Sequence, residues 1–371
     1  MRLVVIGPVY PYRGGIAHYT SQLILALQER GHQVKVISFR RQYPASLYPG
    51  ASDKDPSQSP LKSEAEFLLD PLYPWTWRRA TARIIGYAPD LVVFQWWTTF
   101  WAFSFAQTIA SLRRHNIKTI TIVHNVLPHE RRPWDKALAW LALSQGQPLI
   151  AQNQYEKEHL QTLIPNAQIS VCPHPIYPRF NNQLVSKTVA RQKLNLPAEI
   201  PMLLFFGIVR PYKGLHILLE AISQLRKQEI KPLLIIAGEF WENKRTYIEQ
   251  IDALQLSEQV RIVDRYLPNE DVDLYYSAAD ALVAPYIGGT QSGAAALAMG
   301  YGLPIVLTKQ IAAGIPEGYN ERIKVVEEGD KEGLALAILE TLEHPIQHQT
   351  LLSTVQAGWD SLVNILEEEA Q

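Results

Sequence analysis

Short apolar segments alternate with helical patterns along nearly the whole chain, and a turn follows most of them. Apolar strands separated by amphipathic helices are typical of βαβ units, because parallel neighbours need a crossover connection. We therefore predict an α/β fold built from doubly wound parallel sheets. The predicted strands are LVVIG (3–7), VKVIS (34–38), DLVVFQ (90–95), TITIVHN (119–125), PLIAQN (148–153), ISVCPHP (169–175), MLLFFG (202–207), PLLIIAGE (232–239), RIVDRYLP (261–268), ALVAP (281–285) and LPIVLT (303–308).

The alternation breaks at residues 176–200, where the sequence is polar and irregular, and then restarts. A chain of 371 residues is long enough for two domains. We predict a first Rossmann-like domain over 1–180, a second over 181–345, and a C-terminal amphipathic helix within 346–371. The Pro- and Ser-rich residues 43–63 are predicted to form a long loop.

Composition places the chain among soluble globular proteins, with 47% hydrophobic and 19% charged residues. Cys172 is the single cysteine, which excludes an internal disulfide and a thiolate zinc pattern and favours a reducing cytoplasm. The N-terminus lacks the long apolar core of a signal peptide, and no stretch reaches about 18 uninterrupted apolar residues. We expect a cytoplasmic protein.

Charge is divided unevenly: residues 1–180 carry 19 Lys and Arg against 11 Asp and Glu, whereas 181–371 carry 16 against 25. A basic first half indicates an anionic partner or surface, although no nucleic-acid module is recognisable. One hypothesis is peripheral contact with the inner face of a membrane through a cluster of aromatic residues. The alternative is that these residues form a buried aromatic core. They are Trp96, Trp97, Phe100 and Trp101.

Ligands of doubly wound sheets bind beyond the carboxyl ends of the strands, so the turns there are candidate sites. Gly14 and Gly15 follow the first strand and lead into a helix, where backbone N–H groups favour anions. The GGIAHY segment lacks the spacing of a dinucleotide fingerprint, and an ordinary tight turn is the alternative. His124 ends another strand; it could contact a substrate hydroxyl or move a proton, or it could be a structural hydrogen-bonding residue.

The segment after MLLFF combines Gly207, Arg210 and Lys213 with the start of a helix. Arginine offers a fork of donors, lysine a point charge, and the helix N-terminus a favourable dipole, which together suit a diphosphate. Two solvated surface cations are the alternative reading.

Gly238 follows the next strand, and the stretch GGTQSGAAALAMGYGLP (288–304) follows ALVAP. Ser292 is predicted to cap a helix of small residues beginning near Gly293. This stretch contains no acid or base, so its contribution is a set of backbone N–H groups. We predict that four of its residues touch the ligand: Thr290, Gln291, Ser292 and Gly293.

With these motifs, the chain resembles the retaining, nucleotide-sugar-dependent glycosyltransferases of family four, which have the GT-B fold. The segments that carry the resemblance are GGIAHY, TIVHN (121–125), FGIVRPYKGLHILLEA (206–221), IAGE (236–239), YLPNEDVDLYYSAADALVAPY (266–286) and AMGYGLPIV (298–306). The resemblance implies two Rossmann-like domains facing a cleft, with the acceptor held mainly by the first and the donor by the second. It also implies a last helix that returns to the first domain, and transfer from an NDP-sugar with neither a required metal nor a separate cofactor.

Carried over to this sequence, the resemblance implies that Arg210 and Lys213 contact the diphosphate and that His124 lies beside the transferred sugar. It also implies that Gly15 contributes its backbone near the phosphates and that Leu267 lies near the base. Stabilising the leaving diphosphate with fixed donors is then the main contribution to catalysis.

The family's Glu-x7-Glu pair is absent, because its two positions are occupied by Gly289 and Leu297. This leaves the donor open, and also whether the protein is active, although some such enzymes resemble this chain in using a TQSG-type loop instead. We predict a hexosyltransferase of polysaccharide, glycolipid or glycoside synthesis, acting on a glycan, lipid-linked or small-molecule acceptor. The alternatives are an NDP-sugar 2-epimerase of the same fold and a non-catalytic nucleotide-sugar-binding protein.

Overall fold

The computed structural model describes residues 1–43, 48–128, 130, 132–180, 185–345 and 352–371. Its chain divides into two compact units. Unit 1 contains Met1–Asp55, Pro60–His174 and Ala357–Gln371, and unit 2 contains Pro56–Ser59 and Pro175–Gln356.

Unit 1 is built on a parallel sheet of seven strands among the described residues, in the order β3-β2-β1-β4-β5-β6-β7. The strands are β1 (Arg2–Ile6), β2 (Gln33–Phe39), β3 (Glu66–Leu69), β4 (Leu91–Trp96), β5 (Lys118–Val123), β6 (Leu149–Ala151) and β7 (Ile169–Val171). The central strands β1 and β4 are almost wholly buried and apolar, as expected for strands covered on both faces.

The helices of unit 1 connect these strands in the alternating pattern that the sequence predicts. They are α1 (Gly15–Glu29), α2 (Pro74–Tyr87), α3 (Ala102–Arg114), α4 (Asp135–Leu143) and α5 (Gln154–Leu163), and the last helix of the chain, α13 (Leu352–Ala370), joins them from Ala357 onward. Arg30 and His32, which follow α1, both bond to Glu367 of α13 at 2.8 Å, and Lys118 reaches the carbonyl of Ala370.

Unit 2 repeats the architecture with six parallel strands among the described residues, in the order β10-β9-β8-β11-β12-β13. The strands are β8 (Met202–Phe206), β9 (Leu233–Ala237), β10 (Val260–Val263), β11 (Ala281–Ala284), β12 (Ile305–Thr308) and β13 (Ile323–Val326). The helices are α6 (Lys187–Lys193), α7 (Leu215–Lys227), α8 (Lys244–Ala253), α9 (Asn269–Ala278), α10 (Gly293–Gly300), α11 (Lys309–Ala312) and α12 (Lys331–Glu343). The predicted class, two doubly wound parallel α/β units, is confirmed.

Several elements differ from the sequence predictions. Strand β3 and helix α2 follow the predicted loop, and α6 lies inside the segment predicted to be an irregular linker. The linker prediction is wrong there because Ser186 caps a short helix and Arg191 is buried, bonding to the carbonyls of Ala278 and Ile200. A polar segment can be ordered when its one buried cation is fully hydrogen-bonded.

The aromatic cluster of unit 1 lies largely inside it. Trp96 and Trp101 are each 1% exposed, and Trp97 and Phe100 are half-buried against the same core. The hypothesis that this cluster faces outward is therefore wrong for Trp96 and Trp101, and the alternative of an aromatic core is correct for them. Phe39 packs between Trp97 and Trp101, with ring centroids 5.5 and 4.3 Å away.

A short piece of the long polar loop belongs to unit 2. Ser57 accepts a hydrogen bond from the backbone of Asn269 at 2.9 Å, which satisfies the first orphan N–H group of α9. Gln58 donates its own backbone N–H to Glu270, one residue farther along that helix, at 3.1 Å.

Among the described residues, none of the helices combines the length and apolar character needed to span a bilayer.

Candidate nucleotide-sugar site

The floor of the candidate site in unit 2 is formed by two glycines that follow neighbouring strands. Gly207 follows β8 and Gly238 follows β9, with φ of 97° and 156°. A Cβ on Gly238 would lie 2.0 Å from the carbonyl oxygen of Gly207, so the two backbones touch and leave no room for a side chain. A flat, backbone-lined surface therefore forms at the carboxyl edge of this sheet.

Gly214 fixes the start of α7 against the neighbouring strand end. Its φ is 69°, and a Cβ there would lie 2.0 Å from the carbonyl oxygen of Pro285, directly after β11. Ile287 donates its backbone N–H to the carbonyl of Tyr212 at 2.8 Å and ties the same two loops together. The N-terminus of α7 is thereby held beside the loop that leads to α10.

Lys213 is only 9% exposed and extends over the glycine floor. A Cβ on Gly207 would lie 2.9 Å from its Nζ atom, which also lies 5.5 Å from the centroid of the Tyr286 ring. Burial lowers the pKa of Lys213, and the positive charge of Arg210 lowers it further, while Tyr212 acts in the opposite direction. A buried ammonium held beside another cation is the environment that an anionic ligand would stabilise.

Arg210 lies on the same loop, with its guanidinium over an indole ring. Its guanidinium carbon is 4.9 Å from the centroid of the Trp241 ring. Trp241 in turn donates its Nε1–H to Glu239 at 2.9 Å, and its backbone N–H bonds to the carbonyl of Val209. The loops after β8 and β9 are thus joined, and the guanidinium is oriented by a ring that is itself hydrogen-bonded.

The TQSG loop meets this region through Tyr286. Ser292 donates its hydroxyl to the phenol oxygen of Tyr286 at 3.1 Å and accepts the backbone N–H of Ala295, capping α10 as predicted. Thr290 is 6% exposed and Gln291 is half-buried. Gly293 is the first residue of α10, and a Cβ there would lie 3.8 Å from the Tyr177 ring.

Leu267, predicted to lie near the base, is 4% exposed and lies between β10 and α9. Since β10 is next to β9 in the sheet, Leu267 extends the same carboxyl edge beyond Gly238. Of the positions where the family has glutamates, Gly289 has a φ of 87° and Leu297 is buried in α10. Glycine thus suits the left-handed backbone at position 289, and leucine suits the buried position 297.

In unit 1, the glycine turn after β1 begins helix α1. Gly14 is the N-cap with φ of 107°, a conformation that favours glycine, whereas Gly15 is exposed and has an ordinary helical position. Within the described part of the chain, a Cβ on either glycine would meet no heavy atom within 4 Å. Steric contact within that part of the chain therefore does not explain why position 15 is a glycine.

His124, directly after β5, is 2% exposed and held between two glutamines. Its Nε2 lies 2.6 Å from Gln95 Oε1, and Gln152 donates to its Nδ1 at 3.2 Å. Burial, with a smaller effect of His174, lowers the pKa of His124 to about 3, so the ring is neutral near neutral pH. One nitrogen donates and the other accepts, which is the arrangement that a neutral imidazole requires.

Tyr19 of α1 connects this histidine to the last helix of the chain. The Tyr19 ring meets the His124 ring edge-on at 4.6 Å, the His174 ring at 5.2 Å and the Trp359 ring at 5.3 Å. Helix α1, the end of β5 and α13 are therefore packed together through one aromatic residue.

The structure thus gathers most of the predicted residues at the carboxyl edge of unit 2, and places Gly14, Gly15 and His124 at the corresponding edge of unit 1. The unit 2 residues are Gly207, Arg210, Lys213, Gly238, Leu267, Thr290, Gln291, Ser292 and Gly293. Sequence reasoning missed Trp241 and Tyr286, which support the two cations, and the glutamines on either side of His124. Gln95 could have been found as the one polar residue of the strand Leu91–Trp96.

Two family models match this chain. The model described as "Glycosyltransferase Family 4" matches residues 13–180, and the model described as "Glycosyl transferases group 1" matches residues 200–344. The first match covers the glycine turn and His124, and the second covers every predicted unit 2 residue.

Curated relatives extend these matches. The chain is 24% identical over 340 residues to a D-inositol 3-phosphate glycosyltransferase of Thermobifida fusca, covering 84% of this chain and 76% of the relative. Three other curated relatives are matched over only 31%, 44% and 53% of their own lengths.

Among solved structures, a sucrose-phosphate synthase of Thermosynechococcus elongatus is 22% identical with a TM-score of 0.69, covering 100% of this chain and 96% of that one. The Anabaena protein HepE, solved in complex with UDP, is 18% identical with a TM-score of 0.69, covering 99% and 100%. At these identities the likeness shows the shared fold.

Proposed function

The chain belongs to the family 4, group 1 glycosyltransferases of GT-B fold, and from that premise we propose that it transfers a sugar from an NDP-sugar to an acceptor hydroxyl. The observation that carries the proposal is the buried ammonium of Lys213 over the Gly207–Gly238 floor, with the guanidinium of Arg210 on the same loop. These groups suit the diphosphate of the donor.

A bound diphosphate would compensate the cost of burying Lys213. The lowered pKa of this residue reflects burial and the repulsion of Arg210, and a nearby anion reverses both effects by favouring the charged form. Arg210 supplies donors in a fixed fork, and the N-terminus of α7 adds a favourable dipole. The cations supply the charge that a metal ion supplies elsewhere, so we propose transfer that is independent of a metal.

The proposed reaction proceeds with retention. The bond between the anomeric carbon and the diphosphate oxygen breaks, and the acceptor oxygen bonds to that carbon from the same face. The acceptor proton passes to the departing phosphate oxygen. Arg210 and Lys213 stabilise charge that increases on the diphosphate as the bond breaks, the kind of interaction worth about 3–4 kcal/mol for one well-placed donor.

Neutral groups take the place of the carboxylates at the sugar end of the proposed site. Thr290, Gln291 and the N–H groups at the start of α10 replace the carboxylates that positions 289 and 297 lack. These groups contact the donor without adding charge, and Leu267 contacts the base. The acceptor, a glycan, a lipid-linked glycan or a small molecule, stays part of the proposal, as do the roles of Gly15 and His124.

The test is a thermal-unfolding screen of UDP-, GDP- and ADP-sugars, followed by a turnover assay with the donor that binds. A donor at about 100 times its dissociation constant adds about 2.7 kcal/mol to the free energy of unfolding. Arg210→Ala and Lys213→Ala should each abolish that stabilisation, whereas Arg245→Ala, at an exposed arginine of α8, should preserve it. If both site variants keep the stabilisation and the turnover, the diphosphate assignment is wrong.

The same assay separates the two alternatives. An NDP-sugar 2-epimerase would isomerise the nucleotide-sugar without an acceptor. A non-catalytic binding protein would be stabilised by the donor but would release neither nucleotide diphosphate nor product with any acceptor. Turnover that survives a chelator would support the metal-independent part of the proposal.

A further inference from the structure

Three large aromatic side chains of unit 1 are exposed at the beginnings of three consecutive helices. Trp75 is the second residue of α2, Phe103 is the second residue of α3, and Trp134 is the N-cap of α4. They are 63%, 61% and 55% exposed. We call these three residues the aromatic edge.

The fold brings the three residues to one side of the unit. Each of these helices follows a strand of the parallel sheet, so each begins near the carboxyl edge. Helix α3 packs against both α2 and α4. Neighbouring packed helices lie about 8–10 Å apart, so we expect the three helix starts that carry these rings to span about 20 Å along this side of the unit.

Exposed apolar residues are common when they occur singly, but a contiguous set usually marks an interaction site. The aromatic edge is extended at one end by Leu72 and Tyr73, which are 50% and 40% exposed. The rings of Tyr73 and Trp75 lie 4.6 Å apart. The patch is therefore continuous around the start of α2.

Cations accompany the aromatic edge. Arg78 and Arg79 lie within about one turn of Trp75 and are exposed, and Lys136 is exposed in the first turn of α4. Arg132 places its guanidinium carbon 5.8 Å from the centroid of the Trp134 ring.

Acidic residues are few at the same place. The first turns of α2 and α3 contain no acidic residue, and Asp135 of α4 is buried, bonded to Thr99 and to the backbone of Arg132. Glu130, in the loop before α4, is exposed, so it partly offsets the cations. The aromatic edge nevertheless combines exposed rings with an excess of positive charge.

We propose that the aromatic edge docks on the surface of an anionic lipid bilayer. Tryptophan and other amphipathic rings favour the interface between headgroups and acyl chains, and nearby basic residues are attracted to anionic lipids. A peptide partner that docks on helices would use a groove between them. Here the rings are at the helix ends, a placement that suits insertion into a flat surface. The proposal is independent of glycosyl transfer.

The test is co-sedimentation of the full chain with vesicles of phosphatidylcholine, with and without about 30% phosphatidylglycerol, at low salt. The wild-type protein should sediment with the anionic vesicles and much less with the neutral ones, and binding should fall as salt rises. Replacing the three rings together by serine, Trp75→Ser, Phe103→Ser and Trp134→Ser, should weaken binding at least tenfold. The matched control replaces three exposed apolar residues of unit 2, Ile248→Ser, Val325→Ser and Leu336→Ser, and should bind as wild type does.

A second pair of variants tests the charges. Arg78→Gln with Arg79→Gln should weaken binding to anionic vesicles by roughly 30-fold, since each basic residue near the surface contributes about fivefold. Arg113→Gln with Arg114→Gln removes the same charge at the opposite end of the helix layer, beyond a Debye length of about 10 Å, and should change binding less than twofold.

Several results would overturn the proposal: no sedimentation of the wild-type protein with anionic vesicles, equal binding to neutral vesicles, or equal losses in the test and control variants. The proposal would also be overturned if sedimentation velocity shows that the wild-type protein is a dimer and that the triple serine variant is not. The aromatic edge would then be covered by another copy of the chain. The thermal unfolding midpoint of each variant shows whether it folds. If the triple serine variant loses vesicle binding but is still stabilised by the nucleotide-sugar donor, membrane docking and donor binding are separate properties.

Discussion

The guanidinium carbon of Arg210 lies 4.9 Å from the centre of the Trp241 ring, and the indole N–H of Trp241 bonds to Glu239. Arg210 and Trp241 follow different strands, so the stack joins two loops of the carboxyl edge. The arginine therefore does not have to be ordered by its ligand. A donor group oriented in advance binds with a smaller loss of conformational entropy.

Trp241→Leu should weaken donor binding without removing any charge. A cation–π contact contributes about 0.5–2 kcal/mol depending on solvation, so the dissociation constant for the best NDP-sugar should rise by roughly 2-fold to 30-fold. Isothermal titration calorimetry measures the change directly. Trp140→Leu, at an exposed tryptophan of α4 in the other unit, is the matched control and should bind the donor unchanged. Equal affinity in both variants would mean that the indole does not orient Arg210.

Lys213→Met should stabilise the ligand-free protein while it weakens donor binding. Burial and Arg210 both disfavour the charged amine, as its lowered pKa shows, and methionine removes that cost at similar volume. We expect the free energy of unfolding in urea to rise by about 1 kcal/mol, and donor affinity to fall by at least tenfold, since a hydrogen bond to a charged group contributes about 1.5–3 kcal/mol.

Lys213→Met is thus expected to raise stability and to lower donor affinity. The control for these two effects is Lys309→Met, at an exposed lysine paired with Glu327. It should change neither quantity beyond about 0.5 kcal/mol, as expected of a surface ion pair. A Lys213→Met protein that is less stable than wild type without ligand would show that the amine has a structural role.

The strands and the residues that follow them were predictable because local sequence determines both. The run MLLFFG is apolar enough to be a buried strand, and Gly207 follows it whatever the rest of the chain does. The partners of the cations were not predictable in this way. Trp241 lies 31 positions beyond Arg210 and Tyr286 lies 73 beyond Lys213, and only the order β10-β9-β8-β11 brings them together.

The burial of the aromatic cluster shows the same limit. Trp96 and Trp101 lie in a segment rich in aromatic residues, and composition alone allows either an exposed or a buried arrangement. The structure places Trp96 on a central strand, where it is 1% exposed, whereas Trp75 and Phe103, each the second residue of a helix, are 63% and 61% exposed. Burial depends on which element carries a residue and on the position of that element in the sheet.

Two glycines should respond oppositely to alanine. Gly214→Ala places a Cβ 2.0 Å from the carbonyl oxygen of Pro285 at a φ of 69°, so we expect a loss of about 3 kcal/mol or more in the free energy of unfolding. Gly15→Ala meets no such contact at the start of α1 and should raise stability by about 0.5 kcal/mol, because alanine is the better helix former.

The functional effect of position 15 should appear with a larger side chain. If donor phosphates approach the Gly15 backbone, Gly15→Leu should lower kcat/KM at least tenfold while the urea midpoint stays near that of wild type. Glu29→Leu, at the opposite end of the same helix, is the control and should leave kcat/KM unchanged. Wild-type kinetics in Gly15→Leu would mean that no ligand comes close to that turn.

The buried imidazole of His124 should make the protein sensitive to acid. Its pKa is about 3 when folded against about 6.5 when unfolded, so between these values the unfolded chain binds a proton that the folded chain does not. The contribution of His124 to stability is therefore complete above pH 6.5 and is lost as the pH falls towards 3.

His124→Gln keeps a hydrogen-bonding side chain between Gln95 and Gln152 but does not titrate. Between pH 7.5 and pH 5, the urea-derived free energy of unfolding of wild type should fall by about 2 kcal/mol more than that of His124→Gln. The difference between the two proteins isolates His124 from His18, whose pKa burial also lowers. Parallel pH profiles for the two proteins would show that His124 is protonated equally in both states, so that burial does not keep its imidazole neutral.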